Sequence, residues 1–172
     1  MPCAAQLVKY KMDKLKAGDE VLFSGVLYTA RDQAHKRLVH DIESGKKLPI
    51  NLKGTLIYYC GPTKTPLGKV IGSCGPTTSS RMDKFSPALI KAGVVGMIGK
   101  GSRSKEVIDA IKKYKAIYFI THAGCGALLS KCVRKSKIVG YPDLGLEAIH
   151  ELGVENFPLI VAVDAQGRSI YD

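Results

Sequence analysis

From about residue 80 to the end of the chain, short apolar runs alternate with segments whose apolar residues recur every three or four positions. The strand-like runs are 94–98, 116–121, 138–141 and 157–163. The helix-like segments are 80–92, one that begins at Ser102 or Ser104, a short one at 127–132, and 144–152. Strands that alternate with helices across short loops are typical of α/β domains. We therefore predict an α/β fold with a parallel or mixed sheet, and one domain over residues 1–172.

The first part of the chain extends this pattern. After a basic lead-in or edge strand within the first twenty residues, residues 21–28 predict a strand that bends at Gly25, since glycine inside a strand often marks a bulge. Residues 29–42 predict a helix, with Thr29 and Asp32 spaced as a capping box,. Two further strands are expected at 55–60 and 69–73.

Composition indicates a globular protein with a real hydrophobic core. Of the 172 residues, 45% are hydrophobic and 24% are charged, which differs from the profile of a disordered chain. Apolar runs are too short to cross a bilayer, and the N-terminus lacks the basic-then-apolar order of a signal peptide. We therefore expect a cytoplasmic protein with no membrane association.

The net charge of +11 predicts an anionic ligand or partner,. The lysines are scattered and form no recognisable RNA-binding motif, which weighs against nucleic acid. The five cysteines, Cys3, Cys60, Cys74, Cys125 and Cys132, include no C-x-x-C pair. This chain therefore encodes no common zinc or iron–sulfur motif, and buried or idle thiols are expected.

Gly75-Pro76-Thr77-Thr78-Ser79-Ser80-Arg81 is the strongest candidate for a binding site. A strand, a Gly-Pro turn, hydroxyl groups and a helix start would together form a concavity lined by free backbone N–H groups, which favours anions. Arg81 adds a planar set of donors that matches a carboxylate or a phosphate. The alternative is that the hydroxyl groups only cap the helix.

Three other candidates follow predicted strands, where α/β proteins place their ligands. Arg31 and His35 are one helical turn apart, Lys100 stands in Gly99-Lys100-Gly101, and His122 precedes a glycine-rich turn. Arg31, Arg81 and Lys100 would place three cations on one edge of the sheet, which suits a small di-acid. Taken singly, Arg31 could instead pair with Asp32, His35 could be a structural histidine, and Lys100 could face water.

The sequence resembles the β region of class I, iron–sulfur dependent fumarate hydratases and L(+)-tartrate dehydratases over nearly its whole length. The motifs that carry the resemblance are Ser24-Gly25-x-x-Tyr28-Thr29-Ala30-Arg31-Asp32-x-Ala34-His35, Gly75-Pro76-Thr77-Thr78-x-x-Arg81-Met82-Asp83, Gly99-Lys100-Gly101 and Pro142-Asp143-Leu144-Gly145-x-Glu147-Ala148-Ile149.

The resemblance implies a hydro-lyase of the tricarboxylic acid cycle type and a swivelling β/β/α domain. It implies a [4Fe-4S] cluster held by a separate α subunit, in a hetero-oligomer such as α2β2, and a C4 dicarboxylate substrate. It further implies Thr77 as the proton acceptor, with substrate contacts from Arg31, Arg81, Lys100, Thr78 and His35. Fumarate hydratase is the first expectation. A tartrate dehydratase β subunit and a non-enzymatic, basic anion-binding module are the alternatives.

Overall fold

A computed structural model of the protein describes Met12 and residues 14–172. The predicted N-terminal lead-in, with Cys3, falls largely outside the described residues. The strands are β1 (Glu20–Thr29), β2 (Leu56–Tyr58), β3 (Gly96–Gly99), β4 (Ile117–Ile120), β5 (Val133–Gly140) and β6 (Ile149–Val163). The α-helices are α1 (Asp32–Glu43), α2 (Ser86–Lys91), α3 (Lys105–Tyr114) and α4 (Gly126–Leu129). Short 3₁₀ helices cover Ser79–Met82, Ser130–Cys132 and Pro142–Glu147.

The strands form one mixed sheet in the order β1-β2-β3-β4-β6-β5. Strands β1 to β4 are mutually parallel, whereas β6 runs antiparallel to its neighbours. With 15 residues, β6 is long enough to pair with β4 near its end and with β1 along most of its length. This double pairing closes five strands into a barrel and leaves β5 as an extra strand. The predicted α/β fold with a mixed sheet is confirmed.

The barrel encloses one hydrophobic core, and the helices cover a second. Side chains alternate between the two along β2, β3 and β4, as the two-residue period of a strand requires,. In β2, Tyr58 belongs to the barrel interior and Ile57 to the layer beneath the helices. In β1, Leu27 is fully buried while Leu22, on the other face, is 69% exposed.

Several sequence predictions are confirmed. β1 contains a register shift between Phe23 and Gly25, as the glycine predicted. Helix α3 begins after Ser104, and β3, β4 and the short helix α4 occupy their expected places. Cys60 and Cys74 are buried, as expected of idle thiols, whereas Cys125 and Cys132 are partly exposed.

Two helix predictions are wrong in extent. The segment 80–92 is divided into a 3₁₀ helix and α2, because Pro87 fits only in the first turn of a helix. The segment 144–152 becomes the end of a 3₁₀ helix and the start of β6. There, Leu152 pairs with β1 and with β5. Strand pairing on both sides outweighs a helical spacing of apolar residues.

The strand predicted at 69–73 is also absent, since the described residues there form turns and bends. Thr63 holds this loop through its backbone N–H and its side-chain oxygen, which bond to Ser73 at 2.9 and 2.8 Å. The capping box is wrong as well. Thr29 remains in β1, and its hydroxyl accepts a hydrogen bond from the His150 backbone in β6 at 3.0 Å.

No helix in the described part of the chain has both the length and the apolar character that crossing a membrane requires.

The two faces of β1 provide a test of the barrel core. Leu27→Ala should reduce the free energy of unfolding by about 2–5 kcal/mol, because it opens a cavity inside the barrel. Leu22→Ala, on the exposed face of the same strand, should change it by less than about 0.5 kcal/mol. Urea denaturation of both variants measures the difference. Equal effects would contradict a closed barrel with a packed interior.

Candidate functional site

Parallel pairing brings three of the sequence-predicted residues to one edge of the sheet. Arg31 follows β1 and Lys100 follows β3 directly. Between them, the backbone N–H of Thr77 donates to the carbonyl of Tyr59, just beyond β2, at 2.7 Å. Because β1, β2 and β3 are adjacent and parallel, their carboxyl ends lie side by side. We call Arg31, Thr77, Arg81 and Lys100 the rim residues.

Backbone contacts fix the turn that carries Thr77 against the loop that carries Lys100. Thr78 and Lys100 form an isolated parallel bridge. The Ser79 N–H donates to the Lys100 carbonyl at 2.9 Å, and the Lys100 N–H donates to Ser79 Oγ at 3.0 Å. Gly99 makes this approach possible, because a Cβ there would collide with Ser79 Oγ and lie 2.8 Å from the Tyr59 ring.

Asp32 connects the two rim arginines. Arg81 Nε donates to one carboxylate oxygen of Asp32 at 3.0 Å, and Arg31 Nε lies 3.7 Å from the other. Glu147 lies 3.9 Å from the Arg31 guanidinium. Arg31 Nε and Asp32 Oδ2 are buried and have no hydrogen-bond partner among the described residues. The arginine side chain also crosses Gly61, where a Cβ would lie 2.8 Å from Arg31 Cδ.

This arrangement favours a bound anion. Arg31 Nε is itself inaccessible, but the side chains of Arg31 and Arg81 are 27% and 52% exposed, so part of each can contact a ligand,. Two guanidinium groups and the Lys100 ammonium on one edge can bind two carboxylates. The Arg31–Asp32 contact that the sequence offered as an alternative is present, but it leaves Arg31 Nε unsatisfied.

His35 lies beneath the rim and is fully buried. Its Nδ1 lies 2.9 Å from the Arg31 carbonyl. Because a carbonyl only accepts, Nδ1 carries the proton and Nε2 is an acceptor without a partner in the described part of the chain. The Tyr59 and Phe85 rings flank it at centroid distances of 5.2 and 6.1 Å. Burial lowers the pKa of His35 to about 4. His35 is therefore linked to the rim residues through its hydrogen bond to the Arg31 backbone.

The 3₁₀ helix Pro142–Glu147 holds the start of α1, a role that sequence reasoning missed. Glu147 accepts from the Gln33 N–H at 2.9 Å. Arg37 makes two hydrogen bonds to Asp143, at 2.7 and 2.8 Å. Both acidic residues stand in the Pro-Asp-Leu-Gly-x-Glu motif, so the motif was visible in the sequence while its contacts were not.

The His122 turn follows β4, the parallel neighbour of β3, and the Thr121 N–H donates to the Gly99 carbonyl at 3.1 Å. A cavity of about 370 Å³ beside it is lined by residues of β1, β4 and β6 and includes none of the four rim residues. His122 is exposed. It therefore stands on the same edge of the sheet as Lys100, and it lines a cavity that the rim residues do not.

Among the residues that the structure describes, no three His, Cys, Asp or Glu side chains lie close enough to hold a metal ion. Burial raises the pKa of Cys74 to about 12 and that of Cys60 above its usual range. Thiols in such surroundings stay protonated and are poor metal ligands. The described residues of this chain do not fit an iron–sulfur cluster.

The family profile described as Fumarase C-terminus matches residues 3–172. The chain belongs to the fumarase C-terminus family. A putative L(+)-tartrate dehydratase subunit beta of Methanocaldococcus jannaschii is 40% identical over 173 residues, which cover 97% of this chain and 89% of that protein.

Other members of the family are named as fumarate hydratases. The aerobic class I fumarate hydratase of Escherichia coli is 37% identical over 169 residues, which cover 97% of this chain and 30% of the enzyme. Fumarate hydratase 2 of Leishmania major is 37% identical over 166 residues, which cover 95% of this chain and 29% of the enzyme. This family member therefore spans only about a third of the fumarate hydratases it matches.

The buried His35 predicts a specific dependence on pH. Its pKa is near 6.5 in the unfolded chain and about 4 in the folded one, so the unfolded state takes up the proton first as the pH falls. From this residue, stability should fall by up to about 3 kcal/mol between pH 6.5 and 4, and not above pH 6.5.

NMR titration of the His35 ring measures this pKa directly. His35→Asn serves as the control, since an amide N–H can replace the donor to Arg31 but does not titrate in this range. This variant should lose part of the slope of stability against pH. A ring that titrates above pH 6, or an unchanged slope in the variant, would contradict the assignment.

Proposed function

We propose that the chain is the β subunit of a hydro-lyase that interconverts fumarate and malate. The observation that carries the proposal is the convergence of Arg31, Arg81, Lys100 and Thr77 on one edge of the sheet, where the side chains of Arg31 and Arg81 are 27% and 52% exposed. The two carboxylates of a C4 di-acid are opposite in charge to the two arginines and the lysine. The names of the relatives support the same reaction class.

The cations have a chemical role beyond binding. Removing a proton from the carbon beside a carboxylate spreads negative charge into that carboxylate. Fixed cations that lie where this charge develops lower the barrier, by about 3 kcal/mol for each well-placed group. We assign this role to Arg81 and Lys100, whose backbones are fixed by the turn and the loop. Arg31 binds the other carboxylate. Thr78, whose backbone pairs with that of Lys100, contributes to the same binding site.

In the dehydration direction, Thr77 receives the proton. The C–H electron pair becomes the second bond of the product alkene, and the hydroxyl on the neighbouring carbon leaves as hydroxide, for which the partner would supply a Lewis acid. An aliphatic hydroxyl is a weak base, so Thr77 needs nearby cations that stabilise its deprotonated form or a water molecule that acts through it. The hydrogen bond from its N–H to Tyr59 fixes its backbone for this task.

The rest of the active site belongs to a partner in this proposal. An α subunit would hold a [4Fe-4S] cluster, since the described residues of this chain offer no ligand set for one. The two subunits would form a hetero-oligomer in the cytoplasm, with an α2β2-like composition. The fumarate hydratases named above are about three times as long as their match to this chain. The rest of each enzyme is long enough to include a region equivalent to an α subunit.

A tartrate dehydratase is the second candidate. The observation that favours it is the beta-subunit name of the Methanocaldococcus jannaschii relative, of which the match covers 89%. Tartrate carries one hydroxyl more than malate, and the same cations suit both.

Reconstitution decides among these functions. The chain is co-expressed without oxygen with a cysteine-bearing α subunit from the same source, and the complex is assayed with fumarate, malate and L(+)-tartrate. We expect the complex to convert malate and fumarate, and each subunit alone to be inactive. Turnover of tartrate only would favour the second candidate. A complex that converts none of the three but binds di-acids would indicate that the chain is a non-enzymatic anion-binding module.

Thr77→Val tests the proton acceptor, because valine keeps the shape of threonine and removes only the hydroxyl. In the active complex we expect kcat to fall about 100-fold or more while KM changes by less than about threefold. Thr77→Ser keeps the hydroxyl and should retain most of the activity. A variant whose KM rises while kcat stays normal would show that Thr77 only binds substrate.

A further inference from the structure

Arg103 is a buried cation that the sequence motifs do not include. Its side chain has no solvent exposure, and its Nε donates to Asp83 Oδ1 at 2.7 Å. One terminal nitrogen donates to Ser86 Oγ at 2.6 Å. The guanidinium carbon lies 4.7 Å from the centre of the Tyr118 ring and 5.2 Å from that of Tyr59. The group is thus held between two aromatic faces.

We propose that Arg103 is a positioning residue that sets the distance between Thr77, Arg81 and Lys100. The consequence for catalysis rests on the proposed function, whereas the structural role does not. Arg103 touches none of the three, and it acts through the residues that it contacts.

Asp83 is the first of these connections. It ends the Gly-Pro-Thr-Thr-x-x-Arg-Met-Asp motif, directly after the 3₁₀ helix that contains Arg81. One of its oxygens binds Arg103, and the other accepts from the Ser104 N–H at 2.7 Å. The motif is therefore attached to the segment that follows the Lys100 loop.

Tyr59 and Tyr118, the two rings against the guanidinium, provide the other connections. The Tyr59 carbonyl accepts from the Thr77 N–H at 2.7 Å. The Tyr118 hydroxyl lies 2.8 Å from Ser79 Oγ and 2.7 Å from the Gly101 carbonyl. The carbonyl can only accept, so the Tyr118 proton goes to it and Ser79 donates to Tyr118. Ser79 Oγ in turn accepts from the Lys100 N–H at 3.0 Å.

Arginine suits this place for reasons of shape as well as charge. A planar guanidinium can stack between two rings while its edge donates hydrogen bonds, and an ammonium group cannot do both. A buried ion pair adds little stability compared with well-packed apolar side chains. Its benefit here is that one group joins three segments, through hydrogen bonds to Asp83 and Ser86 and through ring contacts with Tyr59 and Tyr118. Precise placement of reacting groups requires such connections.

Two substitutions separate placement from charge. Arg103→Met removes both the charge and the hydrogen bonds, and Arg103→Lys keeps the charge but loses the planar donors. In the reconstituted complex we expect kcat per folded complex to fall about 100-fold in Arg103→Met. Arg103→Lys should retain more of the wild-type kcat than Arg103→Met, but not all of it. Arg134→Met breaks an exposed pair with Glu155 and serves as the matched control, with unchanged kcat.

Amide hydrogen exchange on the full chain gives a readout that does not depend on activity. We expect exchange at Thr77, Ser79 and Lys100 to be at least about tenfold faster in Arg103→Met than in Arg134→Met. Uniformly faster exchange across the core, with normal kcat per folded complex, would show that Arg103 is merely structural and would overturn the proposal. Unchanged exchange at these three amides would overturn it too.

The same experiments distinguish the two proposals. If the wild-type complex hydrates no di-acid, the proposed function fails, and the exchange result alone decides the role of Arg103. If the complex is active and Arg103→Met keeps full kcat, the proposed function stands and the positioning role fails.

Discussion

Strand β6 hydrogen-bonds to β1 on one side and to β4 on the other, and this double pairing determines the rest of the structure. It closes the sheet, which leaves β1 to β4 as a parallel series with their carboxyl ends on one edge. The connections that leave this edge carry Arg31 and Lys100, and the carbonyl of Tyr59 holds Thr77 between them. The residues of the proposed site are therefore neighbours because of the order of the strands, although they lie far apart in sequence.

Charge at this edge is balanced so that Asp32 orders the arginines while both remain accessible to a ligand. Asp32 contacts both Arg31 and Arg81, whose side chains are still 27% and 52% exposed. Beneath them, burial and the nearby Arg103 both lower the pKa of His35, whose proton on Nδ1 goes to the Arg31 carbonyl. A neutral histidine adds no positive charge below a site that already concentrates it.

Much of this could be predicted from the sequence, for reasons that are local. Gly25 indicated a bulge, Ser104 a helix start, and the apolar runs of β3 and β4 indicated buried strands. Arg31 and Lys100 were expected near each other because each follows a strand. Thr77 also lies at this edge, although no strand leads into its motif. The described residues directly before the motif form no strand, and the threonine is held by a hydrogen bond to Tyr59.

What the sequence could not show depends on contacts between distant segments. The spacing at 144–152 is helical, but pairing with β1 and β5 makes its last four residues the start of β6. Asp83 was visible in the motif, while its partner Arg103 lies twenty positions later, beyond the Gly-Lys-Gly motif. The close approach of Arg31 to Gly61 and of Ser79 to Gly99 is likewise apparent only in the folded structure.

The central claim is that Arg31, Arg81 and Lys100 together bind a dicarboxylate. A crystal structure of the complex of this chain with its α subunit, soaked with malate or an inert C4 di-acid, tests it most directly. We predict carboxylate oxygens within about 3.2 Å of the Arg81 guanidinium and the Lys100 ammonium, with Arg31 on the second carboxylate. A di-acid bound in the active complex without contact to any of these three side chains would contradict the account.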